Sequence, residues 1–136
     1  MKVVWVNGCF DILHRGHVEL FKYAKSLGDY LVVGIDDDKR VKELKGESRP
    51  INKLEDRISL LEAIRYIDEV VSFNIDHELS MNVLQSGASI IVVGSDYRNK
   101  KIIGSEHVSE VVFFDRIGEY STTDILEIQW YTCLIS

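Results

Sequence analysis

Five short runs rich in valine, isoleucine and aromatic residues punctuate this chain, at 2–6, 30–35, 69–73, 89–93 and 110–114, without regular polar alternation. A strand with one wet face would alternate. Strands without that alternation are buried on both faces, the pattern of a parallel sheet sandwiched by helices. Between these runs the sequence recovers helical period. Residues 17–27 set Val18, Phe21, Ala24 and Leu27 on one stripe, with Glu19, Lys22 and Lys25 off it, and Gly28 suits a left-handed cap. Residues 53–66 repeat the pattern through Leu54, Ile58, Leu61 and Ile64. Helices at about 78–86, near 104–108 and from about 122 complete the alternation. Residues 36–50, opened by Asp36-Asp37-Asp38 and closed by the only proline, read as a polar segment. The expectation is one α/β domain over 1–136, a doubly wound five-stranded parallel sheet with ligands at the carboxyl ends of its strands.

Composition narrows the function. No apolar run approaches the roughly 20 residues needed to span a bilayer, and the N-terminus has no signal-peptide pattern. The two cysteines, Cys9 and Cys133, have no metal-type spacing and fit a reducing compartment, so the chain reads as cytoplasmic. A net charge of −6 argues against broad nucleic-acid binding. Any cations that hold an anion must therefore be concentrated locally. The apolar tail, 129–136, reads as packed on the body or on a partner subunit rather than as chemistry.

Four loops should converge at the carboxyl ends of the strands. The first, Asn7-Gly8-Cys9-Phe10-Asp11-Ile12-Leu13-His14-Arg15-Gly16-His17, joins a strand to a helix through a glycine turn. Glycine lets backbone approach a polyphosphate, and the free N–H groups and positive end of the next helix attract it. His14 and His17, three apart, can point to one side of the chain as it enters that helix. The second loop carries Lys39, Arg40, Lys42, Lys45 and Arg49. The third is Gly94-Ser95-Asp96-Tyr97-Arg98. The fourth runs from Arg116 to Ser121-Thr122-Thr123-Asp124, where the hydroxyls can cap a helix and also meet a phosphate. Together they suit one triphosphate and one further anion.

The run Asn7 to His17, with His14-Arg-Gly-His17, resembles the H-x-G-H signature of the cytidylyltransferase-like nucleotidyltransferases, and Ser121-Thr-Thr resembles its distal partner; the likeness covers about 3–128. Lys45-Gly-Glu-Ser-Arg-Pro-Ile-Asn52, Gly94-Ser-Asp-Tyr97 and Ile103-Gly-Ser-Glu106 are similar to the heptose 1-phosphate adenylyltransferases. Arg116, five residues before Ser121, is instead similar to the glycerol-3-phosphate and choline-phosphate cytidylyltransferases. The resemblance implies a Rossmann-like fold, a homodimer, magnesium, and a reaction between ATP or CTP and a sugar or polyol phosphate. His14 and His17 would stabilise the transferring phosphate. Lys42, Lys45 or Arg49 would close over the phosphates, and Ser121, Thr122 and Thr123 would hold their far end. Arg57, in Glu55-x-Arg57, would reach the acceptor phosphate, or only pair with its helix neighbours. Asn7, Gly8, Cys9, Phe10, Gly16 and Arg116 would line the nucleotide site, and Gly94 to Asp96 would frame the base. Asp11 is a candidate contact to magnesium or its waters.

The competing readings are plain. Cys9 suits a small residue filling a turn, since no covalent step is needed. Asp36 to Asp38 suit a helix cap, with an acceptor-sugar role as the minority alternative. His77 and His107 have no constellation around them. ATP with a heptose 1-phosphate leads, CTP with glycerol 3-phosphate follows, and flavin-mononucleotide adenylyl transfer or a non-catalytic nucleotide-binding module come after.

Overall fold

The computed structural model describes residues 1–115. Strands β1 (Val3–Gly8), β2 (Tyr30–Asp36), β3 (Glu69–Phe73), β4 (Ile90–Gly94) and β5 (Glu110–Phe114) form one parallel sheet in the order β3-β2-β1-β4-β5. The helices are α1 (Arg15–Ser26), α2 (Asp38–Lys45), α3 (Leu54–Glu62) and α4 (Asp76–Ser86). Because every pairing is parallel, all the carboxyl ends lie on one edge. The order reverses at β1, the switch point where such sheets open a crevice. Register shows the opening directly. β1 pairs with β2 from Val3↔Tyr30 to Gly8↔Ile35, but with β4 only at Val4↔Ile90 and Trp5↔Ile91. Beyond Trp5 the two central strands part.

Two apolar layers explain why the strands do not alternate. Val4, Val6, Leu31, Val33 and Ile35 pack with Phe21 and Ala24 of α1 and Leu61 of α3. Val3, Trp5, Val32 and Phe73 pack on the other face with Leu79 and Val83 of α4. Each such side chain, fully buried, stabilises the fold by about 1.5–3 kcal/mol. Trp5 needs room that only Gly34 gives: a Cβ at Gly34 would stand 2.4 Å from the indole Cζ2. The indole N–H in turn donates to Asn7 Oδ1 at 2.9 Å.

The strands fall within one or two residues of their expected limits; four helical expectations change. The stripe on α1 runs through Leu20, Phe21, Ala24 and Leu27, while Val18 is 37% exposed. The polar segment contains α2. Its buried apolar residue is Val41, and it is held by its ends: Asp37 accepts the Arg40 N–H at 2.9 Å, with Asp38 in the first turn and Lys42 and Lys45 in the last. The helix expected over 53–66 stops at Glu62, where tight turns (Ile64 N–H to Leu61 O, Ile67 N–H to Ile64 O) fold Ile64 and Ile67 onto the core. The short helix near 104–108 is one 3-10 turn, Ser105–His107. The helix from about 122 and the 129–136 tail lie outside the described residues. Among the described residues no helix is long and apolar enough to cross a membrane.

Candidate active site

The loop from β1 into α1 is fixed by its own polar groups. His14 is the N-cap: its Nδ1 accepts the Gly16 N–H at 3.1 Å, and His17 Nδ1 accepts the His14 N–H at 3.3 Å. This reciprocal pair is a capping box written with two imidazoles instead of a hydroxyl and a carboxylate. The three-residue spacing of the histidines is therefore also what starts the helix. Because both Nδ1 atoms accept, the neutral rings are assigned the tautomer with the proton on Nε2, a donor suited to a phosphoryl oxygen. The rings stack with centroids 3.8 Å apart, and the first turn of α1 has no acidic residue to oppose an anion.

Phe10 supports them from below. It is the described non-glycine residue at positive φ, +45°, and its ring lies over Gly8, where a Cβ would stand 3.0 Å from Phe10 Cζ. The same ring meets His17 edge-on at 5.3 Å and is only 6% exposed. Phe10, expected in the nucleotide site, is thus corrected to a buried prop for His17.

Three more expectations are corrected by burial. Asp11, the candidate magnesium contact, is fully buried; its carboxylate accepts N–H groups of Ile51 and Asn52 and Arg49 Nε, at 2.9–3.0 Å. Burial alone would raise its pKa, but these donors hold it below the ordinary carboxylate value. Arg49, expected to close over phosphates, is anchored by that pair. Arg57, expected at the acceptor phosphate, is also fully buried. Its guanidinium donates to the carbonyls of Asn52, Cys9 and Asp36 and to Asp38 Oδ1, at 2.7–2.9 Å. One side chain thereby ties the ends of β1 and β2 to the starts of α2 and α3. Burial leaves it no room to touch a substrate.

A cavity of about 480 Å³ opens where β1 and β4 part, within the range of small-molecule sites. Asn7, Gly8 and Cys9 form one side and Gly94 and Tyr97 another. Asp36, Arg40 and Lys45 come from β2 and α2, and Lys101 from the loop before β5. The lining includes neither His14 nor His17, so the cavity lies beside the histidines rather than over them. Of the expected residues the structure gathers Asn7, Gly8, Cys9, Lys45 and Gly94 here. Gly16 sits in the histidine cap. Lys42 is exposed and not part of the lining. The backbone of Asp96 belongs to the 3-10 turn Ser95–Tyr97. Arg116, Ser121, Thr122 and Thr123 lie outside the described residues.

Sequence reasoning missed Lys101, which sits in an irregular loop where no periodicity marks a facing side, and read Asp36 first as a capping residue, with an acceptor-sugar role as the minority alternative. Asp36 is 8% exposed and pairs with Arg40 Nε at 2.7 Å. Burial raises its carboxyl pKa, opposed by Arg40, Arg57 and Lys45. His107 is not isolated either: its Nε2 lies 3.0 Å from Ser80 Oγ and 3.4 Å from Glu106 Oε1. Both partners sit on one ring nitrogen, so no proton relay runs through it. Among the described residues no group of three His, Cys, Asp or Glu side chains could hold a metal ion.

The wider comparisons place the chain among relatives and a fold. Two curated relatives named bifunctional protein HldE align along most of this chain. That of Campylobacter fetus subsp. fetus is 46% identical over 125 residues, 91% of this chain and 27% of the relative. That of Helicobacter hepaticus is 44% identical over 126 residues, 93% of this chain and 26% of the relative. The chain thus spans about a quarter of the length of these relatives. Among solved structures, the lipopolysaccharide core biosynthesis protein of Thermoplasma volcanium superposes with a TM-score of 0.68 at 28% identity, covering 89% of this chain and 99% of that one. The cytidylyltransferase-like family model matches residues 5–128, nearly the whole sequence, and the chain belongs to that family.

Proposed function

We propose that this chain transfers an adenylyl group from ATP to a sugar phosphate, with a heptose 1-phosphate as acceptor, and releases pyrophosphate. The observation that carries the reading is the imidazole capping box, which fixes two histidines at the N-terminus of α1, where the first turn has no acidic residue, in the loop that lines a cavity of acceptor size. The likeness to the HldE proteins supports ATP and a heptose phosphate over the alternatives.

An oxygen of the acceptor phosphate forms a bond to the α-phosphorus, and the bond from that phosphorus to the bridging α–β oxygen breaks. A sugar phosphate has a second pKa of about 6 and is mostly dianionic at neutral pH, so no strong base is required. The task is to hold two anions together and offset charge on the leaving pyrophosphate. His14, His17 and the N-terminus of α1 do this at the α- and β-phosphates, and Lys45 approaches from the end of α2. Arg116 and Ser121 to Thr123 are assigned to the nucleotide by resemblance alone. Magnesium, implied by the same resemblance, finds no built site in Asp11, whose carboxylate is fully engaged. The ion would arrive with the triphosphate, and no step is derived through it. A cytoplasmic setting and a homodimer complete the proposal, supported by the cysteine usage and the resemblance.

The test is pyrophosphate release from magnesium with ATP or CTP, against a heptose 1-phosphate, glycerol 3-phosphate and flavin mononucleotide. Turnover with ATP and the heptose 1-phosphate is expected. Turnover confined to CTP and glycerol 3-phosphate would overturn the reading in favour of the pattern that Arg116 shares.

A further inference from the structure

The cavity beside the histidines is lined by groups of both charges. Arg40 adds little net charge, because Asp36 and Asp76 both pair with it, at 2.7 and 2.8 Å. Lys45 and Lys101 make no ion pair with a described carboxylate. The lining carboxylate is Asp36: its Oδ1 accepts Arg40 Nε–H, while Oδ2 accepts no hydrogen bond from any described residue. Asp36 nevertheless lines the cavity. No buried polar side-chain atom among the described residues lacks a partner, so an unpartnered Oδ2 belongs at the cavity surface.

The chemistry of what meets that oxygen is narrow. A phosphate is excluded by like charge at contact distance. A bound metal ion lacks further ligands among the described residues. An ammonium group would compete with Arg40, already in place. Hydroxyl groups remain: neutral donors that a desolvated carboxylate binds well and discriminates strongly, because the site pays for an empty partner. The two lysines that share the lining suit a phosphate.

Resting on the proposed function, we propose that Asp36 is a specificity-determining residue that reads hydroxyl groups of the acceptor, while Lys45 and Lys101 hold the acceptor's phosphate. The acceptor is then a polyhydroxylated phosphate monoester, its phosphate on the lysines and its hydroxyls on the Asp36 carboxylate. Arg40 fixes the orientation of the Asp36 carboxylate and is a positioning residue. Its outer partner Asp76, 71% exposed, is not part of the cavity lining.

The experiment compares wild type, Asp36→Asn, Asp36→Ala and Asp76→Asn, with thermal melts to establish folding. Initial rates are measured with ATP against a heptose 1-phosphate and against ethyl phosphate, which has the phosphate without the hydroxyls. Both Asp36 variants should raise KM for the sugar phosphate about ten-fold or more, leave KM for ATP within about two-fold, and change kcat/KM for ethyl phosphate by less than about two-fold. Asp76→Asn should leave all three unchanged. Equal losses on both acceptors, a parallel rise in KM for ATP, or the same defect in Asp76→Asn would overturn the assignment.

If wild type turns over neither acceptor, the proposed reaction has failed rather than this assignment. Calorimetric titration of heptose 1-phosphate and ethyl phosphate, with a non-hydrolysable ATP analogue bound, then decides it. A preference for the sugar phosphate that vanishes in Asp36→Ala supports it, and no preference in wild type overturns it. Should the Asp36 variants melt early, Lys101→Ala is measured instead. It should weaken both acceptors about equally, and no effect on either would overturn the arrangement.

Discussion

The loop after β1 and the C-terminal end of α2 both serve the same crevice, and they are held in different ways. In the first, fixed side chains lock the backbone: Asp11 binds the 49–52 loop, Arg57 binds Cys9 and Asp36, and the histidines cap their own helix. In the second, Lys42, Lys45 and Leu44 are exposed, and the helix relies on its Asp37 cap and end charges. The contrast divides the cations of this chain by burial. Arg49 and Arg57 fit carbonyls and carboxylates with planar, forked donors and build the site. Lys45 and Lys101 are compact charges at the cavity wall, available to a ligand that comes and goes.

That division can be broken at its most rigid point first. Arg57→Ala should destabilise the protein by about 4 kcal/mol, because it leaves Asp38 and three carbonyls without their donor. Arg57→Lys should recover little, since one ammonium cannot span those directions. Denaturant unfolding checks both, and a near-normal midpoint for Arg57→Ala would return that residue to the substrate. His17→Ala comes next. It should lower kcat at least a hundred-fold, about 2.7 kcal/mol in barrier, with the fold retained by circular dichroism. Near-normal turnover would reduce the imidazoles to helix caps.

Asp11→Asn sharpens the comparison through pH. The folded protein lowers the Asp11 pKa, so its contribution is complete above the ordinary value of 3.8 and is lost as pH falls through the depressed one. The variant should be less stable by about 2 kcal/mol at neutral pH, with the gap to wild type narrowing below about pH 4. A gap that is constant with pH would mean that shape, not charge, ties the two loops together. Smallest is Lys45→Ala, expected to reduce kcat/KM about ten-fold, or 1.4 kcal/mol, with Tm unchanged. A Tm loss matching the activity loss would place Lys45 with the buried arginines.

How much of this was legible depends on whether a residue's task leaves a periodic trace. The β-branched runs located the strands, because burial on both faces needs apolar residues at every step. The glycine turn and paired histidines marked the first loop, since helix capping and phosphate binding ask for similar chemistry in the same place. α2 left no amphipathic signal, because one buried Val41 is its whole apolar face. Resemblance offers Arg57 to the acceptor phosphate, or to its helix neighbours, and nothing local in the sequence marks it as buried. Only the three-dimensional convergence of Asn52, Cys9 and Asp36 carbonyls makes an arginine at home in the interior. Asp36 was hidden by its neighbours: three consecutive aspartates look alike in sequence, yet one caps α2, one holds Arg57 and one faces the cavity.

The indole of Trp5 carries a wider consequence. It fills the space left by Gly34, and the same ring steers Asn7 at the cavity wall. Sheet interior and cavity wall therefore share one side chain. A methyl group added at Gly34, hidden from solvent and from any ligand, would displace the indole and so turn Asn7. Its effect would be felt as altered recognition as well as lost stability. For anyone redesigning this pocket, the floor has to be chosen together with the two central strands beneath it.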